Sequence, residues 1–174
     1  MRNAQQLLTQ YAADHRDRRN IVTHFIGVPI VVFSVGVLLA RPGFEASGLT
    51  LTPAWLVFAL VALWYLSRHL VLGLATSVVV GALILLAQQV SGGSVANWLV
   101  WGIGSFALGW LIQFLGHYYE GRKPAFVDDM VGLLVGPMFV VAEWLFMLGW
   151  NRSLLQTIEA EVGPTLLRDL AHPA

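Results

Sequence analysis

LVLGLATSVVVGALILLAQQV, residues 70–90, carries no charged side chain and no proline. At 1.5 Å per residue it is long enough, as a helix, to cross a hydrocarbon core of about 30 Å. Inside a bilayer every main-chain polar group must be satisfied within the segment, which a helix does. The surrounding chain has the same character. Of its 174 residues 57% are hydrophobic and 11% charged, and the mean hydropathy is +0.69. A water-soluble domain keeps a more charged surface than that. The reading is an all-α integral membrane bundle.

Working outward from residues 70–90, four further apolar stretches appear. One runs from Ile21 to Ala40 and stops at Arg41-Pro42-Gly43. A short one, Pro53 to Leu66, is separated from residues 70–90 by Ser67-Arg68-His69. Two more run from Val95 to Gly116 and from Val131 to Trp150. About five transmembrane helices are therefore expected, with kinks at Pro29 and Pro137. Residues 53–90 read equally as two spans or as a re-entrant hairpin. Trp55, Trp98 and Trp150 fall near span ends, where interfacial indoles belong. No linker divides the chain, so residues 1–174 are expected to form one domain. The N-terminal MRNAQQLLTQYAADHRDRRN is too polar for a cleaved signal peptide, and the first apolar helix is expected to remain.

Alternating the spans puts Arg2, Arg16, Arg18, Arg19, Arg68, Arg122 and Lys123 on one side, with Arg41, Arg152 and Arg168 opposite. The positive-inside rule makes the first side, and the N-terminus, cytoplasmic. The formal net charge is zero, which argues against a nucleic-acid partner. Cysteine is absent. That excludes disulfides, thiolate nucleophiles and Cys-ligated zinc or iron–sulfur centres, and leaves His, Asp and Glu as metal ligands.

His15, His24, His69 and His117 all fall on the predicted cytoplasmic side, and His172 lies in the tail. His15 extends the stripe Ala4, Leu8, Tyr11, so an amphipathic N-terminal helix on the membrane would turn it inward. Asn20 is the expected N-cap of the first span, with His24 in its first turn. Nine residues put His15 and His24 on opposite sides of a straight helix, so a shared site requires a bend within Asp17-Arg18-Arg19-Asn20. Gln113, His117 and Glu120 share a face where the fourth span ends. Several helix ends then converge imidazoles and a carboxylate on one interfacial pocket. Nitrogen and oxygen ligands without sulfur suit Fe(II), Zn(II), Mn(II) or Cu(II). The plain alternative is that each histidine is an ordinary hydrogen-bonded interfacial residue.

Glu143, mid-span, needs a partner or a proton, as a group that orients a ligand or relays protons, or as an interhelical hydrogen bond. Arg122 and Lys123 are candidates to hold a substrate carboxylate, or are loop charges that set topology. Asp128 and Asp129 are candidates for orienting partners or a helix cap. HExxH, G-x-S-x-G and Walker patterns are absent. Five histidines are too few for the paired boxes of a di-iron membrane desaturase, so a mononuclear site fits better.

YAADHRDRRNIVTHFIGVP (residues 11–29) and WLIQFLGHYYEGRKPAFVDD (residues 110–129) together resemble the two signatures of the fungal-type 2-hydroxy fatty acid dioxygenase family. The resemblance maps Tyr11, His15, Asn20, His24, Gly27 and Pro29 onto the first block. Gln113, Gly116, His117, Glu120, Pro124, Ala125 and Asp128 map onto the second. It implies a helical membrane enzyme that uses Fe(II) and O2 to convert a 2-hydroxy fatty acid to the acid one carbon shorter. On that reading His15, His24 and His117 are catalytic metal ligands, with His69 a further ligand placed by topology alone. Glu120 is a catalytic ligand or orienter, and Asn20, Gln113, Arg122 and Lys123 meet the substrate. Membrane lipids surround the chain, in a bacterial inner membrane or an endoplasmic reticulum. Gly102, Gly104 and Gly109 permit close helix packing, within one protomer or in a homo-oligomer. The rival expectation is a non-enzymatic lipid-binding or transport protein with a structural metal or proton site.

Overall fold

The computed structural model describes residues 2–41, 43–46, 49–123 and 130–170. It is mostly helical. In chain order the elements are α1 (Ala4–Ala12), α2 (Arg18–Leu39), β1 (Phe44–Ala46), β2 (Leu49–Leu51), α3 (Pro53–Arg68), α4 (Leu70–Val90), α5 (Val95–Leu99), α6 (Ser105–Glu120), α7 (Gly132–Met147) and α8 (Arg152–Val162). A π-helical turn, Val100–Gly104, joins α5 to α6, so residues 95–120 form one helix.

Among the described residues, three helices are long and apolar enough to cross a membrane: α2, α4 and the continuous Val95–Glu120. A fourth span exists if α7 and α8, bent by 117° at a short break, are taken together. The apolar α3 has 16 residues and measures about 24 Å at 1.5 Å per residue, less than the hydrocarbon core. One departure from an all-α chain is the antiparallel hairpin β1–β2, which pairs Glu45 with Thr50 after the first long helix.

The chain divides into two compact units, residues 29–110 and residues 1–28 with 111–174. In the first, α3 and α4 form a tight hairpin. A Cβ at Gly73 would fall 2.5 Å from the Tyr65 carbonyl oxygen, so only glycine permits this approach. His69 sits at the hairpin's turn, where Nδ1 accepts the Leu72 N–H at 3.2 Å and caps α4. The Trp98 indole donates to the Val37 carbonyl at 2.7 Å, meeting the demand of a half-buried N–H.

The second unit carries both signature blocks. Asn3 and Gln6 cap α1 reciprocally, at 2.9 and 3.0 Å, as a capping box does. Ala4, Leu7, Leu8, Tyr11 and Ala12 are buried, and α1 packs against α7 and α8. Its apolar face is thus covered by protein. The cap of α2 is Asp17, whose Oδ1 accepts the Arg19 N–H at 2.8 Å; Asn20, expected in that role, lies inside the first turn. The helix starts earlier than its apolar run because Arg18 and Arg19 are good helix formers and Asp17 is a better-placed cap.

The C-terminal part departs most from the sequence reading. Gly149 and Asn151 adopt positive φ, 85° and 45°, and turn the chain back after α7. Residues 163–168 then meet the connection between α1 and α2. Leu166 pairs with the Asp17 position, its N–H donating to Arg16 O and its carbonyl accepting from Arg18 N, both at 2.9 Å. Arg168, expected across the membrane from the N-terminal arginines, therefore lies beside them. The reversal after α7 brings it there.

Candidate metal centre

His15 lies in the connection after α1, His24 in the second turn of α2, and His117 in the last turn of α6. The change of direction at residues 13–17 brings the first two together, as a shared site requires. All three are buried, His15 and His24 completely. One ligand atom from each lies within 4.8 Å of the others. Among the described residues this is the one group with metal-holding spacing. Its ring centroids stand 4.5 to 5.1 Å apart.

The hydrogen bonds fix what these rings can do. His15 Nδ1 sits 2.7 Å from the Tyr11 carbonyl and His24 Nδ1 2.9 Å from the Asn20 carbonyl. A carbonyl only accepts, so both Nδ1 atoms carry the proton and both neutral rings present a bare Nε2. Those two Nε2 atoms face each other at 3.2 Å. A hydrogen bond between them would need one imidazolium. Burial first, and then the neighbouring His24 and His117, hold the His15 imidazole well below the usual histidine range, so it stays neutral. A shared electrophile would satisfy two lone pairs converging in a buried space. Nitrogens about 2.1 Å from one ion, at angles between 90° and 109°, stand about 3.0–3.4 Å apart, which matches. Nδ1 of His117 is likewise buried without a hydrogen-bond partner. The donor set thus fits a divalent metal, with carbonyl-oriented imidazoles of the kind found at metal sites.

Tyr11 backs the cluster. Its ring stacks on His15 at 4.1 Å between centroids, inclined by 6°, and leans on Phe139 of α7. Burial raises its phenol above the ordinary tyrosine value, reinforced by Asp14, so the ring serves as a neutral wall.

Glu120 is fully buried and holds the frame. Its Oε2 accepts the Asp17 N–H at 2.8 Å and the Asn20 amide at 3.1 Å. Asn20 also donates to the Asp14 carbonyl at 3.2 Å. The residue whose carbonyl orients His24 is therefore fixed by the helix that carries His117. This contact needs Gly116, where a Cβ would collide with Asn20 and Thr23. Gln113 is buried one turn before His117. Arg122 is engaged by Asp14 Oδ1 at 3.0 Å and by the Ala13 carbonyl at 3.2 Å, and Lys123 is exposed. His69 belongs to the other compact unit, in the capping role described above. Glu143 stands 4.0 Å from the guanidinium of the buried Arg16, the partner that its mid-helix position demands. Pro124, Ala125, Asp128, Asp129 and His172 lie outside the described residues.

Two participants escaped the sequence reading. Arg16 donates to the carbonyls of Ala12, His15 and Gly163, and Arg168 contacts both Asp17 and Glu120. Neither stands in a pattern that periodicity can flag.

The Mpo1-like family model, described as 2-hydroxy-palmitic acid dioxygenase Mpo1-like, matches residues 1–148. The chain is 32% identical over 154 residues to the 2-hydroxy-palmitic acid dioxygenase MPO1 of Saccharomyces cerevisiae, covering 87% of this chain and 85% of the yeast protein. No solved structure matches. With His15, His24 and His117 all inside the matched region, the chain belongs to the Mpo1-like family.

Proposed function

We propose that this protein is a membrane dioxygenase that uses mononuclear Fe(II) to shorten long-chain 2-hydroxy fatty acids by one carbon. The observation that carries the metal is the convergence of two bare, buried Nε2 atoms at 3.2 Å beside His117. The reaction class comes from the yeast relative, whose name is that of a 2-hydroxy-palmitic acid dioxygenase. The overall change is RCH(OH)COOH + O2 → RCOOH + CO2 + H2O. The bond between C1 and C2 breaks, C1 leaves as CO2, C2 becomes the new carboxyl carbon, and O2 takes up the four electrons.

His15, His24 and His117 are the ligands in this reading. Fe(II), when bound there, would supply a redox-active Lewis acid for the reaction of a 2-hydroxy carboxylate with O2. The chain's own residues do the rest. The Tyr11 and Asn20 carbonyls hold two imidazoles as Nδ1–H tautomers with Nε2 inward. Tyr11 and Phe139 shield the His15 ring from water. Glu120 acts through Asn20 and Asp17 as an orienter. Asn20 and Arg122 are already engaged, so Gln113 is the best-placed side chain to meet the substrate head, with Lys123 a longer-range charge. The acyl chain stays among lipids and apolar helices, α3 joining α4 as a membrane hairpin. The N-terminus faces the cytoplasm, in a bacterial inner membrane or an endoplasmic reticulum.

The test is metal analysis of protein purified without chelator, then anaerobic Fe(II) loading and oxygen uptake with 2-hydroxyhexadecanoic acid. One iron per chain, substrate-dependent O2 consumption and a product one carbon shorter are expected. Turnover without oxygen would point to metal-dependent hydrolysis, and a chain that takes up no metal to lipid binding or transport.

A further inference from the structure

Residues 163–168 lie beyond the part of the chain that the family model matches, which ends at residue 148, yet they meet both halves of the histidine site. Four contacts run to Arg16, Asp17 and Arg18, beside His15. Leu166 N donates to Arg16 O and Leu166 O accepts from Arg18 N. Arg16 Nη1 reaches the Gly163 carbonyl at 3.1 Å. The Arg168 N–H donates to Asp17 Oδ2 at 2.9 Å. Two more run to the helix that carries His117. Arg168 Nη1 donates to the Glu120 carbonyl at 2.7 Å, at the end of α6, and Nε lies 3.5 Å from Glu120 Oε1. A cation at a helix C-terminus is favourable on its own account. Here the same guanidinium also faces a fully buried carboxylate that binds Asp17 and Asn20.

Within this unit, then, the segments bearing His15, His24 and His117 are joined through one carboxylate and one arginine of the C-terminal segment. We propose that Arg168 is a positioning residue, and that residues 163–168 are a strap that keeps the three imidazoles in register for a metal ion. This rests on the metal reading above. Arg168 suits the task, since its guanidinium donates from Nη1 to the Glu120 carbonyl and from Nε stands in ion-pair range of the Glu120 carboxylate. Partners that hydrogen-bond a ligating imidazole directly typically change metal affinity about 10- to 100-fold when removed, and Arg168 acts on such a partner, Asn20, through Glu120.

The experiment titrates Co(II) anaerobically into the full chain in detergent, following visible d–d absorption, and records thermal unfolding of the same samples. Arg168→Gln keeps the main-chain bond to Asp17 but loses the guanidinium. It should weaken Co(II) binding about tenfold or more and alter the absorption band. Arg168→Lys should fall between it and the wild type, and Leu167→Ala, at an exposed neighbour, should match the wild type. Wild-type affinity and an unchanged band in Arg168→Gln, whatever its melting temperature, would make the contact merely structural and overturn the proposal. If Arg168→Gln does not fold, Arg168→Lys decides by the same criterion. A wild type that binds no Co(II) overturns the metal reading, and the strap's role with it.

Discussion

His15 and His24 present their Nε2 atoms to each other at 3.2 Å, while the opposite nitrogen of each ring is bonded to a main-chain carbonyl. The carbonyls come from residues 11 and 20, each four positions before its histidine, so the orientation is built into the local backbone. Removing one imidazole leaves that backbone intact. His15→Ala, His24→Ala and His117→Ala should each lose bound metal and turnover while retaining the wild-type far-UV circular dichroism. Full activity in all three would end the metal assignment.

Protonation of His15 sets a pH dependence. The folded value is depressed, chiefly by burial, so between the ordinary histidine value of about 6.5 and that lower value the unfolded chain binds more protons than the folded one. Stability of metal-free protein should therefore be full above about pH 6.5 and fall as the pH drops from there toward the lower folded value. Asp17 acts elsewhere. Burial would raise its carboxyl, but Arg19 and the Arg168 N–H bring it from 3.8 to about 2, so its contribution is lost only as the pH falls through that window. Denaturant unfolding from pH 8 to pH 5 should show the first effect, and His15→Gln should reduce it.

Gly116 separates packing from backbone effects. Gly116→Ala drives a methyl group into Asn20 and Thr23 and should cost about 1–3 kcal/mol, as overpacking does. Gly104→Ala meets nothing within 4 Å, and should be neutral or stabilise by up to about 1 kcal/mol through helix propensity. Equal melting temperatures for the two variants would contradict the close approach of α2 and α6 at residue 116.

Asn20 has two roles that one substitution can divide. Asn20→Ala removes the amide that donates to Glu120 and to the Asp14 carbonyl, but keeps the main-chain carbonyl that orients His24. A stability loss of about 1.5–3 kcal/mol is expected, the range for a hydrogen bond to a charged group. Metal affinity should fall less than in His24→Ala. Equal losses of metal in the two variants would mean that the side chain carries the orientation instead.

Much of the architecture follows from the linear pattern. Residues 70–90 have no charge to place in water and no proline to break the ladder, so a long apolar helix is the solution available to them. The same holds for residues 18–39 and 95–120. The short α3 was visible as a short run for the same reason. The three histidines were legible because each lies on or beside a helix end, where spacing along the chain translates directly into position.

What local pattern could not supply came from chain reversals and long-range pairing. The turn at Gly149 and Asn151 returns the C-terminal segment to the N-terminal connection, 149 residues away in the case of Arg19 and Arg168, and no periodicity encodes such a contact. His69 shares the predicted side of the other histidines, and within its own unit its Nδ1 caps α4. Composition and helical period thus determined an apolar helical chain with histidines at its helix ends. Only the tertiary structure decided which imidazoles meet, because their segments are held by long-range contacts: a fully buried Glu120 that accepts from Asp17 and Asn20, and a glycine at 116 that lets α2 approach.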